Sequence, residues 1–146
     1  MVKSALFSVF RPANSQDRHI LKIVKDNSQR CDSFVGFQNE TTQIIRLSLD
    51  SCFNHADISH ELLHSAGLFH EHNRIDRDDH IEIKRNCIRQ DKLPQFEKTP
   101  QASTIGPYDP WSIMHYPSVG QSDGDCPSFI SRVRNQSFKT VMEYFS

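Results

Sequence analysis

His60-Glu61-Leu62-Leu63-His64-Ser65-Ala66-Gly67-Leu68-Phe69-His70 is the stretch on which the reading of this chain turns. His60 and His64 are four residues apart, so on an α-helix both imidazoles project from one face, one turn above the other. Two ring nitrogens can then meet one ion. Glu61 stands one residue round from His60, near enough to a ligand water to take its proton and poorly aimed to bind the ion itself, which suits a general base. Gly67 permits the positive φ with which a chain leaves a helix sharply. His70 can then return to the same ion as a third ligand. Three protein ligands leave a position open for water, which separates a catalytic zinc site from a closed structural one. Zinc lowers the pKa of a bound water from about 16 to about 7, so a nucleophile becomes available at neutral pH.

Read further, the chain runs HELLHSAGLFHEHNRIDRD from His60 to Asp78, and YDPWSIMHY from Tyr108 to Tyr116. The two stretches together resemble the astacin family of metzincin zinc endopeptidases. In that family an extended zinc motif runs into His-Glu-His-x-Arg-x-Asp-Arg-Asp, and a Ser-Ile-Met-His-Tyr Met-turn follows downstream. The resemblance implies an α+β fold: a small mixed sheet with an active-site helix, zincin-like, and an irregular, loop-rich C-terminal part. It implies that His60, His64 and His70 hold one Zn2+, that Glu61 is the catalytic base and proton shuttle, and that Met114 lies beneath the metal. Tyr116 is implied as a fifth, displaceable metal ligand that swings to stabilise the tetrahedral intermediate, and a phenol can serve in both capacities. The expected function is zinc-dependent hydrolysis of a protein or peptide substrate. The alternative is an astacin-like zinc-binding scaffold whose cleft no longer turns over peptides. A closed structural zinc, with His72 or Cys87 as fourth ligand, is a third possibility. Activity should fall in mild acid, because imidazole must be neutral to bind metal.

The resemblance also implies a Cys31–Cys52 disulfide, like the pair that brackets the cleft-edge strands in the family. Cys87 and Cys126 match no family position. They could pair with each other, remain free or bond outside the chain.

Around the motif, residues 19–25 (HILKIVK) read as a strand. Ile45, Leu47 and Leu49 alternate with Arg46 and Ser48, the period of a half-buried strand. Asn54 or Asp57 offers a cap for the helix, and Ile58, Leu62 and Ala66 recur on the face that would pack on the sheet while His60 and His64 look into a cleft. Past His70 the charges crowd together. Arg74 and Asp76 are expected to brace the loop carrying the third ligand, whereas Glu71, Arg77, Asp78 and Asp79 read as a solvated turn. His72, His80, His19 and His55 read as packing or surface residues, and His115 as orienting the Met-turn. Residues 84–110, punctuated by Pro94, Pro100, Gly106, Pro107 and Pro110, read as connecting loop.

At 146 residues, with 36% hydrophobic residues and a formal charge of −1, the composition is that of one small globular domain. No basic cluster marks a nucleic-acid face, and no apolar run reaches the roughly 18–20 residues of a membrane span. Four cysteines and the resemblance to secreted or membrane-tethered proteases point to an extracellular setting. Asn39-Glu40-Thr41 and Asn135-Gln136-Ser137 are glycosylation sequons. Ala5 to Phe10 is too short for a signal core.

The resemblance covers roughly residues 9–116 of a single domain spanning 1–146, and residues 121–146 carry no assignable motif. Against the family pattern the chain is expected to begin within the first sheet strands and to lack the segment that walls the primed-side pocket after the Met-turn. Glu71 matches a family glutamate that contacts the matured amino terminus, so its charge is expected to lack that partner.

Overall fold

The computed structural model describes residues 10–28, 30–102, 106–119 and 126–132. The sequon at Asn135, the stretch from Ala5 to Val9 and most of the unassigned tail lie outside the described residues. The N-terminal half carries three strands, β1 (Ile20–Lys25), β2 (Asp32–Ser33) and β3 (Thr42–Leu47), in the order β1-β3-β2. β3 is central, parallel to β1 with Ile20 opposite Thr42, and antiparallel to β2 with Asp32 opposite Arg46. The sheet is thus small and mixed, in agreement with the α+β reading. Alternation along β3 buries Gln43, Ile45 and Leu47.

That alternation ends sooner than the sequence suggested. The Ser48 carbonyl accepts the Cys52 amide at 3.2 Å and the Ser48 hydroxyl accepts the Asp50 amide at 3.3 Å. The turn leaves Leu49 exposed and Ser48 buried, so Leu49 does not join the core. Cys52 is bonded to Cys31, which ties the start of β2 to this turn.

Helix α1 spans His55–Ser65. Its cap is Asn54, whose extended backbone and side-chain oxygen, 3.0 Å from the Asp57 amide, satisfy one of the open N–H groups of the first turn. It ends where Gly67 takes φ +106°, a conformation that strains any L side chain. The His64 carbonyl accepts both the Gly67 and the Gly36 amides at 2.8 Å, so the helix end is fastened to the loop between β2 and β3.

The burial of α1 corrects one expectation. Ile58, Leu62 and Ala66 are only half-buried, and Leu62 lines a surface groove with Leu21 and Ile23 of β1. The buried residues of the helix are Ala56, His60, Glu61 and His64. Its most enclosed face is therefore the polar one, because β2 and the turn at residues 112–116 close over it.

The C-terminal half is loop-rich. Among the described residues, three 3-10 turns, Glu71–Asn73, Arg77–Asp79 and Gln90–Phe96, accompany an antiparallel pair formed by β4 (Ile81–Ile83) and β5 (Phe129–Ser131). Ile81, Tyr108 and Phe129 pack as a small core with Ile83 against it. The segment read as plain loop thus contains a 3-10 helix, which accommodates Pro94 because its hydrogen bonds are few, and which fully buried Phe96 anchors. Cys87 and Cys126 are bonded to each other, which settles the pairing that the sequence left open.

The charged stretch after His70 is more ordered than expected. Arg74 is buried and pairs with both oxygens of Asp76 at 2.9 and 2.8 Å, as anticipated. Glu71 belongs to the same brace rather than to a solvated turn. One of its oxygens accepts Arg74 at 2.9 Å and the Asp109 amide at 2.8 Å, so the charge is paired within the chain. Arg77 also departs from the solvated reading: it is buried, and its Nη1 donates to the carbonyls of His72 and Phe96. A guanidinium can close two open carbonyls at once, which an exposed-turn reading does not foresee.

Candidate metal centre

The helical register places His60 and His64 on one face of α1, and the turn at Gly67 brings His70 back beneath them. The Nε2 atoms of His60 and His64 each lie 3.0 Å from Nε2 of His70. Among the described residues, these three form the group able to share one metal ion.

Hydrogen bonding fixes which nitrogen of each ring is free. Nδ1 of His60 lies 2.8 Å from the Ile113 carbonyl, and Nδ1 of His64 lies 2.8 Å from the Leu68 carbonyl. A carbonyl only accepts, so both Nδ1 atoms carry the proton and both Nε2 atoms present lone pairs. Asn73 stands near the third ring. Its amide hydrogens are spent on the Gln95 and Glu97 carbonyls at 2.8 and 2.7 Å, so the polar atom it has left for His70 is its oxygen, which favours a proton on that ring's side facing it. Three lone pairs thus converge with no proton between them, an arrangement that a cation stabilises and that repels itself without one. Zn–N distances of about 2.0–2.1 Å in a tetrahedral site set nitrogens about 3.3 Å apart, close to the 3.0 Å that His70 keeps from each of the other two rings.

Burial keeps the rings neutral. Desolvation first, then the neighbouring imidazoles, pushes His64 down to about 4 and His70 down to about 2. Desolvation also lowers His60, against the opposing pull of the Ile113 carbonyl.

Glu61 points into the same cleft but does not join the ligand group. Its side chain is buried, and its Oε2 meets no donor among the described residues. Burial, followed by the charges of Asp32 and Asp57, raises its carboxyl to about 7. Tyr116 lines the cleft as well, its ring 4.4 Å from that of His70 and 4.3 Å from that of His72. Its hydroxyl donates to Oε1 of Gln95 across 3.4 Å. Burial, and then Glu61, raises the phenol to about 12.

The Met-turn is stitched to the ligand loop from both sides. The carbonyl of buried Met114 accepts the Glu71 amide at 2.9 Å, and the Ile113 carbonyl orients His60. His115 is fully buried. Its Nδ1 donates to the Tyr116 carbonyl at 2.8 Å, which makes its Nε2 the acceptor for the Tyr108 hydroxyl at 2.6 Å. His115 therefore holds the turn in shape, as the sequence suggested.

The remaining histidines are not ligands. His72 is fully buried, with Nε2 on the Gln95 carbonyl and Nδ1 on the Tyr116 amide. His80 stacks on Tyr108, His19 packs edge-on to Phe37, and His55 is exposed. With Cys87 in a disulfide as well, neither candidate for a fourth structural ligand is available.

The profile of the astacin peptidase family, described as Astacin, matches residues 7–142. The chain belongs to the astacin family. Among curated relatives it is 36% identical over 126 residues to the zinc metalloproteinase nas-14 of Caenorhabditis elegans, covering 84% of this chain and 25% of that protein. It is 41% identical over 108 residues to astacin-like metalloprotease toxin 2 of Loxosceles intermedia, covering 71% of this chain and 41% of the toxin. Among solved structures it resembles high choriolytic enzyme 1, a hatching enzyme zinc-protease from Oryzias latipes. The TM-score is 0.79 at 26% identity, over 90% of this chain and 63% of that one. The chain thus spans about a quarter to two fifths of the length of these curated relatives. Within the astacin frame its donor set of three neutral imidazoles fits one zinc ion.

Two features of the site escaped the sequence reading. Asn73 gave no signal, because its role depends on a carbonyl pair 22 and 24 residues away. Asp32 offered one: it directly follows Cys31, the cysteine linked to the cleft edge. The Asn73 contact carries a prediction. Asn73→Ala frees the His70 ring to rotate or to change tautomer, so zinc affinity should fall about 10–100-fold while the fold persists. Competition with a fluorescent zinc chelator checks it.

Proposed function

We propose that the chain is a zinc-dependent endopeptidase in which Glu61 is the general base and Tyr116 supports the oxyanion. The observation that carries this reading is the meeting of three imidazole lone pairs beside a buried carboxylate whose Oε2 has no donor among the described residues. Zinc, when bound, supplies Lewis-acid polarisation of the scissile carbonyl and acidifies a water to a pKa of about 7.

Glu61 takes a proton from the attacking water and delivers it to the leaving amine nitrogen as the C–N bond breaks. Its raised carboxyl, near 7, suits both halves of that exchange. Tyr116 stays protonated at neutral pH and can donate to the oxygen on which charge develops. Its long contact to Gln95 is easily exchanged for a stronger acceptor. Its part as a displaceable metal ligand belongs to the same proposal. Two disulfides favour an extracellular setting. No helix among the described residues is long and apolar enough to cross a membrane.

Incubation of the zinc-loaded chain with an unfolded protein tests the reading. New internal amino termini should appear in the products. Stoichiometric zinc without cleavage would make the chain a binding scaffold instead.

The pH profile follows from the site. The ligand imidazoles lie below their ordinary value of 6.5, so they stay neutral, and able to bind, into mild acid. The fall of activity in mild acid expected from the sequence is then set by a group other than the ligand histidines. A base works only when deprotonated, and burial raises Glu61, so kcat/KM should rise with pH through the Glu61 value. That value is about 7 before a bound cation draws it lower. On the acid limb kcat/KM should fall about tenfold per pH unit with zinc content constant to about pH 5.5. Zinc leaving in step with activity would contradict this assignment.

A further inference from the structure

We propose that Asn39 is an N-glycosylation site and that the first N-acetylglucosamine of its glycan covers the exposed ring of Phe37. The inference rests on the extracellular setting proposed above and not on peptidase activity. Asn39-Glu40-Thr41 is the acceptor pattern, with no proline at its middle position. A three-residue pattern recurs by chance, so the weight falls on where the fold puts it.

The loop between β2 and β3 presents all three residues to solvent. Asn39 takes φ +58°, a left-handed conformation that asparagine tolerates better than most side chains. An asparagine in such a turn commonly engages nearby backbone with its side chain. Here no hydrogen bond from a described residue reaches the side chain of Asn39 or of Thr41, so the acceptor amide and the hydroxyl are both open. The flanks are tied down instead. Gln38 donates its backbone amide to Oε1 of Gln43 at 3.2 Å, and Nδ1 of His19 donates to the Glu40 carbonyl at 2.9 Å. The acceptor is therefore held on a fixed, solvent-facing turn.

Phe37, two residues earlier, is the independent observation. At 65% it is the most exposed large apolar residue among those described, and apolar surface left in water calls for a cover. His19 fixes it: the two rings meet edge to face at 5.0 Å. One imidazole thus holds Phe37 and the Glu40 carbonyl on either side of Asn39, and Phe37 and Glu40 line one surface groove. The C–H face of a pyranose is apolar and slightly positive, the complement of the negative face of an aromatic ring. A sugar bonded to Nδ2 of Asn39 stands within reach of that ring.

The donor is an isoprenoid-pyrophosphate-linked oligosaccharide of the secretory lumen. Nδ2 attacks C1 of its first sugar, and the N–C1 bond forms as the C1–O bond breaks. The isoprenyl pyrophosphate leaves with the bonding electron pair, and the amide proton passes to a base of the transferase.

The test directs the full chain, with Asn135→Gln to remove the second sequon, into the secretory lumen of a cultured eukaryotic cell behind a heterologous leader. This separates the site from the natural location of the chain. Peptide mapping by mass spectrometry should find most of the Asn39 peptide glycosylated. Thr41→Ser should keep the glycan, and Thr41→Ala should lose it while leaving the left-handed asparagine in place. Glycosylated and amidase-treated proteins are then melted side by side. The glycan should raise Tm by about 2–5 °C in the parent. The gap should largely vanish in Phe37→Ala, a comparison in which the asparagine-to-aspartate change left by the amidase cancels. Unmodified Asn39 in chain recovered from the lumen overturns the site. A Tm gap absent in the parent, or equally large in Phe37→Ala, overturns the covering of Phe37. Neither result depends on peptide cleavage, so the peptidase reading stands or falls separately.

Discussion

Glu61→Gln should lose about 10³-fold or more of kcat/KM on any peptide that the parent cleaves, while zinc content stays at one ion per chain. The substitution keeps shape and volume and removes only the ability to accept a proton. General acid–base groups contribute about 10²–10⁴-fold, and Glu61 is proposed to act twice, on the water and on the leaving nitrogen, so the upper part of that range is expected. Folding should not suffer. The carboxylate is buried beside Asp32 and Asp57 with one oxygen lacking a donor among the described residues, and replacing a poorly paired buried charge by a neutral amide relieves a cost. Kinetics, metal analysis and a melting curve on one preparation settle the matter. Turnover equal to the parent's would remove Glu61 from the mechanism.

His70→Ala should weaken zinc binding roughly 10²–10³-fold. Four-ligand structural zinc sites bind with about 10–16 kcal/mol, or roughly 3–4 kcal/mol for each ligand. The loss falls on the ring that links the other two, since His60 and His64 each face His70 at 3.0 Å. After dialysis the variant should hold little zinc and cleave nothing, and excess zinc should restore only part of the activity. The metal-free variant should be no less acid-resistant than the metal-free parent. The parent's His70 is neutral, held down to about 2 by burial, whereas an exposed histidine in the unfolded chain gains a proton below about 6.5. Folding therefore loses free energy as pH falls below that value, and removing the ring removes its share of the loss. Full zinc retention in His70→Ala would exclude it as a ligand.

What the sequence made legible was the periodic part of the site. A spacing of four on a helix and a glycine at its end determine where His60, His64 and His70 go, because each depends on local geometry alone. The mixed sheet was legible too, but β3 stopped at Leu47 where Ser48 begins a turn. No alternation of side chains reports a hydrogen bond made by the next residue's carbonyl. The burial of α1 was misjudged for a related reason. Apolar spacing identified Ile58, Leu62 and Ala66, yet the enclosed face is the one that β2 and the Met-turn cover, and it holds the ionisable groups. Arg77 was read as solvated because charge alone was visible, and Glu71 as part of the same turn or as a charge short of its family partner. Their acceptors and donors are backbone groups of distant segments, such as the Phe96 carbonyl and the Asp109 amide. The Cys87–Cys126 bond likewise depends on how a 39-residue excursion folds back.

X-ray absorption at the zinc edge of the loaded protein tests the shared centre most directly. It should give three imidazole nitrogens at about 2.0–2.1 Å with an oxygen completing the shell and no sulfur. A shell with fewer than three imidazoles, or with a thiolate, would contradict it.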